Sequence, residues 1–292
     1  MGSWVGRLAA LALAVSAIPV AVAAQIVPAP PDLAGATLEE LMQIRVTSAS
    51  RKEQRADDVA AAVFVITQDD IRRSGMRTLP ELLRLVPGAQ VSQINSSNWA
   101  VSIRGFNGLF SNKLLVLVDG RSIYRRAFSG VFWHAEDLML GDIDRIEVVR
   151  GPGGAVWGAN AVNGVINVVT KAAANTQGLS VNVSAGAGQA QAGARYGGKL
   201  GAAAYRVYSQ ATSHGETQMI DGTGADDEWR SLTNGLRLDW GSGAHEWTID
   251  GSLRTGTERP LRSVLVHALA SIASEGIDFV LDGHARSLWP EP

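Results

Sequence analysis

Ile143-Asp-Arg-Ile-Glu-Val-Val-Arg-Gly-Pro152, followed by Gly153-Gly-Ala-Val-Trp-Gly158 and then Val165-Ile-Asn-Val-Val169, is the stretch that decides the reading of this chain. The runs Ile143–Val149 and Val165–Val169 have the length and β-branched content of buried strands. Between them Gly151, Gly153, Gly154, Gly158 and Gly164 let the backbone take positive φ and approach a neighbouring surface closely. A phosphate-binding loop fails here on chemistry. The run lacks the Lys-Ser/Thr pair and the GxGxxG spacing, and Pro152 removes a backbone donor. Arg104 and Arg150 each stand between a strand and a glycine, so their guanidinium groups emerge at strand ends. There they either pair bidentately with carboxylates or remain ordinary surface arginines. Taken alone, the pattern describes a domain that docks tightly against something.

Working upstream, Val63–Ile66 is a buried-strand run. Thr67 with Asp70, and Thr78 with Glu81, are capping boxes that start two helices, the first ending at Gly75 and the second at Pro87-Gly88. Val101–Ile103 and Leu114–Val118, the latter ending in the Asp119-Gly120 turn, complete the strands of an α+β domain over residues 51–171. Downstream of Lys171 helical signals vanish and period-two alternation appears, weakly in Val181–Ala187, Ala190–Tyr196 and Tyr205–Thr212. It is clear in Leu236, Leu238 and Trp240 against Arg237 and Asp239, and again in Trp247, Ile249 and Leu253. Gly241–Ala244 joins the last two strands as a tight hairpin. A soluble sandwich would show the same alternation. Trp240 and Trp247, flanking one turn, favour a membrane β-barrel with an aromatic girdle over residues 172–257. Residues 258–292 fit neither pattern: Val264–Ala273 reads as a helical or featureless apolar stretch, and the tail reads as a shifted reading frame.

Residues 1–24 carry one charge, Arg7, an apolar stretch Leu8–Val22 and small residues at Val22-Ala23-Ala24, the order of a cleaved signal peptide. The apolar core is short for a bilayer span. Residues 25–50 begin with a Pro/Ala-rich flexible segment and end in the alternating Gln43–Ala49, a strand with no evident partner in the charged run 51–58. The 292 residues include no cysteine, which excludes thiolate metal sites and disulfides, and a net charge of −2 gives no case for nucleic acid. The five histidines are scattered, no HExxH or GxSxG occurs, and the carboxylates Glu136–Asp137 and Asp142–Asp144 read as solvated loop residues. No catalytic residue, metal site or cofactor is expected.

Four motifs in order carry a resemblance: Ser102-Ile-Arg-Gly-Phe106, Leu115-Val-Leu-Val-Asp-Gly120, Ile143–Pro152 and Trp157–Lys171. Together they resemble the plug domain of TonB-dependent outer-membrane receptors. The resemblance implies a plug inside a transmembrane β-barrel of 22 strands. A periplasmic TonB-type protein would pull on a TonB box before the plug, here Ile44, Arg45, Val46, Thr47 and Ser48, by adding a β-strand to its own sheet. Arg104, Glu147 and Arg150 match positions that couple plug to barrel in the family, and Gly105, Gly120, Gly151, Gly158 and Gly164 match the motif glycines. Apical loops carrying Trp99, Phe106, Tyr124, Arg125, Phe128 and Trp133 are candidates to face a small ligand, a ferric siderophore first and a cobalamin-like molecule second. The same aromatics could equally pack the plug against the barrel.

The resemblance places the protein in outer-membrane lipid of a Gram-negative bacterium, without covalent chemistry. Residues 172–292 are too few for 22 strands of about 10 residues. A truncated, transport-incompetent form is therefore expected, periplasmic if the barrel cannot assemble. A stand-alone periplasmic plug-like module and a non-functional gene remnant are the alternatives.

Overall fold

The structure, a computed structural model, describes residues 45–46, 54–55, 61–109, 113–125, 130–186, 188–242, 245–258, 263–274 and 277–287. All belong to one compact unit, Glu39–Pro292. The expected signal peptide lies outside the described residues.

The plug begins with β1 (Arg45–Val46) and β2 (Gln54–Arg55), then β3 (Val63–Thr67), α1 (Gln68–Ser74) and α2 (Leu79–Leu82) with a 3₁₀ turn over Leu83–Leu85. It continues through β4 (Ala89–Gln93), β5 (Trp99–Ile103), β6 (Leu114–Val118), β7 (Arg121–Ser122), β8 (Ile143–Arg150), α3 (Gly154–Trp157) and β9 (Gly164–Thr170). Both capping boxes form: Thr67 Oγ1 accepts from Asp70 N at 3.2 Å and Thr78 Oγ1 from Glu81 N at 3.4 Å, while each carboxylate reaches back to the cap. Gly75 closes α1 in the left-handed region.

The central sheet runs β3-β8-β9-β6-β7, with β6 and β9 parallel and the other neighbours antiparallel. One face buries Ile66, Val116, Ile146, Val148 and Ile166 against Leu82, Leu83 and Ile103, and the other buries Leu115, Leu117, Val149 and Val165 around Ala161. Covering on both faces explains why β6 reads as an unbroken apolar run.

Two expectations are corrected. The Gln43–Ala49 segment is not partnerless: Arg45 pairs with Arg55 and Val46 with Gln54, and Val46 is buried. Ladder hydrogen bonds need only backbone, so the charged run hides a partner strand. Nor is Val264–Ala273 helical. It lies in β15 (Ser263–Ser274), paired along its length with β14 (His245–Glu258) and followed by β16 (Ile277–Ser287). The unpaired donors and acceptors on the edge of β14 outweigh the helix preference of alanine and leucine.

The wall comprises β10 (Gly178–Gly186), β11 (Gln189–Leu200), β12 (Ala203–His214), β13 (Trp229–Ser242) and β14–β16, a consecutive antiparallel sheet of seven strands whose edge strands, β10 and β16, do not pair with each other. Its burial is inverted relative to a soluble sheet. Arg206, Gln210, Thr212, His214, Ser231, Thr233 and Arg254 are buried, whereas Leu179, Val181, Val183, Val207, Leu232, Leu236 and Leu253 on the opposite parity are exposed. A sandwich would bury the apolar side. Polar-in, apolar-out alternation is the pattern of a transmembrane barrel. Trp240 and Trp247 sit opposite each other in register and stack with ring centroids 6.2 Å apart.

Candidate functional site: the plug–wall seam

The buried polar face of the wall meets the plug, and the β12–β13 hairpin grips it along most of its height. At one end are charges. Arg206 donates to the Lys171 carbonyl at 2.6 Å and to Thr170 Oγ1 at 3.1 Å, while Arg237 donates to Thr170 Oγ1 at 2.9 Å and to Asp119 at 3.4 Å. Arg206 and Arg237 are cross-strand partners, a repulsive pairing in isolation. Asp119, Asp142 and Asp239 offset it. Asp142 pairs with Arg195 of β11 and lies 3.9 Å from Arg206, and Asp239 accepts from Ala173 N at 2.6 Å. Burial holds the Lys171 ammonium below its ordinary pKa, with Asp142 opposing that fall.

Midway, Asp137 is enclosed by neutral donors: Thr212 Oγ1 at 2.7 Å, Gln210 Nε2 at 2.9 Å and Ser231 Oγ at 3.4 Å, with the Arg254 guanidinium near. Burial pushes its carboxyl above the ordinary 3.8 despite these partners. A raised folded-state value means that, as pH rises from 3.8 toward it, the unfolded chain gives up the proton first. The docked state therefore loses stability across that window. Urea midpoints measured against pH should show this decline in the wild type relative to Asp137→Asn, in which it is absent; parallel curves would contradict it.

At the far end Trp229 Nε1 donates to the Ser96 carbonyl at 2.8 Å, His214 stacks on Trp229 at 4.3 Å, and Arg77 donates to the Gly186 carbonyl at 2.7 Å.

The residues expected to couple plug and barrel have their described contacts within the plug. Glu147, fully buried, accepts from Arg145 Nε at 2.8 Å, Arg150 Nη1 donates to the Pro87 carbonyl at 3.3 Å, and Arg104 is exposed beside Gly151. The described carboxylate contacts from plug to wall come instead from Asp119, Asp137 and Asp142. The reading of Asp137 and Asp142 as solvated is thereby corrected, because the wall strands cover them. The one available signal is parity: Arg206, Arg237 and Arg254 occupy positions opposite to the apolar ones.

Among the ligand-facing candidates, Trp99 and Trp133 are core residues, since burying indole area outweighs presenting it to solvent. Phe106 is 70% exposed, with Lys113 Nζ 3.6 Å above its ring. Tyr124 is half-buried and Arg125 lies 3.7 Å from Glu136. Phe128 lies outside the described residues, as do Ile44, Thr47 and Ser48 of the expected TonB box. Gly105, Gly120, Gly151 and Gly158 have positive φ. Gly164 is required for a different reason, because a Cβ there would meet the Val149 carbonyl at 2.6 Å.

Residues 55–165 match the family model of the TonB-dependent receptor plug domain. The chain is 40% identical over 143 residues to the vitamin B12 transporter BtuB of Vibrio vulnificus, covering 48% of this chain and 23% of that protein. It is 39% identical over 141 residues to the BtuB of a Vibrio cholerae strain, again covering 48% and 23%. The match therefore spans less than a quarter of the length of these relatives. In fold the chain is similar to the structure of the FpvAI–pyocin S2 complex (TM-score 0.62, 16% identity, 85% of this chain and 39% of that one). It also resembles the siderophore receptor PirA of Acinetobacter baumannii (TM-score 0.58, 18% identity, 73% and 37%). By sequence, then, residues 55–165 are a plug domain of the TonB-dependent receptor type, and the structure seats that domain by its carboxylates against a sheet whose apolar side faces outward.

Proposed function

We propose that this chain supplies the plug and first wall strands of an outer-membrane receptor for a scarce, bulky ligand, energised by a periplasmic TonB-type partner and exported through its leader 1–24. The observation that carries the reading is the polar seam. A plug held by hydrogen bonds and ion pairs rather than by apolar packing can leave and re-enter its seat without exposing a hydrophobic core. A ferric siderophore is the ligand we put first, since Phe106, Tyr124 and Arg125 remain partly exposed beside the apical loops. Cobalamin is the second reading, favoured by the 40% identity to a vitamin B12 transporter. Competition between ferric siderophores and cobalamin for binding to cells that express the receptor separates the two.

The TonB partner would add a strand to residues 44–48, displacing the β1–β2 pairing. Proline at position 46 deletes a backbone donor. In a receptor carrying a complete barrel, Val46→Pro should abolish energy-dependent uptake while ligand binding is retained. Normal uptake by that variant would move the box elsewhere.

A further inference from the structure

The long connection among the described wall strands is the loop 215–228 between β12 and β13, whereas at the other end the turn 201–202 has two residues. Long loops mark the outer end of such a sheet. The loop folds on itself as a small hairpin, with Gln218 bridged to Gly224, and its tip presents Met219 and Ile220 to solvent. Its base is a single carboxylate. Asp227 Oδ1 accepts from Thr217 N at 2.7 Å, and Oδ2 accepts from Thr217 Oγ1 at 2.7 Å and from Ser96 N at 2.8 Å.

Ser96 is the plug's side of this junction. Its amide reaches the Asp227 carboxylate, its hydroxyl donates to the Asp227 carbonyl, and its own carbonyl accepts from Trp229 Nε1. Every polar group of Ser96 is thus committed to residues 227 and 229 of the wall. Ser96 is 2% exposed and Asp227 6%, so water does not compete for these bonds. The turn that carries Ser96 is stiff. Asn95 Oδ1 accepts from Ser97 N at 3.1 Å and Asn98 N at 2.7 Å, and Ile94 N donates to the Asn98 carbonyl at 2.9 Å. It is the tip of the β4–β5 hairpin, which leads directly into Arg104 and Phe106.

We propose that Asp227 is a positioning residue that makes the outer loop 215–228 and the plug turn 94–98 move as one body. Contact of a ligand with the loop is thereby transmitted to the plug. The proposal rests on the receptor reading and deepens it by naming the link between outer loop and plug. The mechanism is a shared acceptor: the same carboxylate oxygen holds Thr217 of the loop and Ser96 of the plug, so releasing one weakens the geometry that holds the other. Coupling of this kind is reciprocal.

Amide hydrogen exchange on the full chain in detergent micelles tests the link without any ligand, so its failure is distinguishable from failure of the receptor reading. Asp227→Asn should speed exchange of both Ser96 and Thr217 amides by about tenfold or more, with β8 and β9 unchanged as the folding control. Ser96→Ala leaves the loop's own residues intact, yet should speed exchange at Thr217 as well. Ser96→Ala removes the hydroxyl bond to the Asp227 carbonyl and Asp227→Asn weakens the carboxylate bonds, so if these hold one junction the double variant should depart from additivity at Thr217. Faster exchange confined to the side that carries the substitution, or additive effects in the double variant, would overturn the proposal.

Discussion

Replacing Asp142 by alanine is expected to cost the docked plug about 3–5 kcal/mol, the range for removing one partner from a buried ion pair. Asp142 sits in the 3₁₀ turn Leu140–Asp142 and answers two arginines on adjacent wall strands, Arg195 and Arg206, whose side chains are largely excluded from water. Its loss leaves both guanidinium groups desolvated. Arg206 keeps the Lys171 carbonyl and Thr170, but Arg195 loses its described carboxylate partner. Urea unfolding followed by the fluorescence of the buried Trp99 and Trp133 reports the loss directly. Added salt should change the difference little, because solvent ions screen buried pairs weakly. A variant whose midpoint matches the wild type would show that the charged end of the seam is dispensable.

The second large effect is expected at Gly164. A methyl group there would lie 2.6 Å from the Val149 carbonyl and 3.3 Å from Ile103 Cδ1, one a strand backbone and the other a packed core side chain. Neither can yield without parting β8 from β9. Gly164→Ala should destabilise the plug by about 1–3 kcal/mol, the ordinary cost of overpacking, and Gly164→Val by more. Gly154 is the internal comparison. It belongs to the same glycine-rich stretch, yet the nearest atom to an added Cβ is 3.9 Å away and its φ is not positive, so Gly154→Ala should be neutral or mildly stabilising. Thermal unfolding of the three variants side by side decides it; equal melting points for Gly164→Ala and Gly154→Ala would refute the argument.

Features set by local chemistry were legible before the structure. The Thr67–Asp70 and Thr78–Glu81 capping boxes, and the apolar runs of β3, β6, β8 and β9, are short-range patterns, and all of them form. β4, Ala-Gln-Val-Ser-Gln, alternates apolar and polar residues over too few positions, and with too small an apolar residue at Ala89, to declare itself, and it exists because β5 pairs with it. β15 was hidden for the same reason. In the site, residue type could not separate Asp137 and Asp142 from ordinary loop carboxylates, since what buries them is a sheet that follows later in the chain. Trp99 and Trp133 show the converse: an indole that could stack on a ligand is as well suited to filling a core. The alternation of Arg237 and Asp239 with Leu236 and Leu238 was visible, and only the direction in which each set faces had to be learned from the fold.

The order of strands in the central sheet bears on how the plug comes into being. β3 pairs with β8, joining Ile66 to Ile146, and β6 lies parallel to β9, joining Val116 to Ile166. Contacts between residues so distant in the chain form slowly. The β8–β9 pair, contained within Ile143–Thr170, is the closest-spaced of these pairings and is the natural nucleus. Until it has formed, Val63–Thr67 has no strand to join and Leu114–Val118 has only the two-residue β7, and apolar segments left so are the kind that associates between chains. A newly made chain therefore passes through an interval in which it depends on being shielded, and that interval ends only when residue 170 is present.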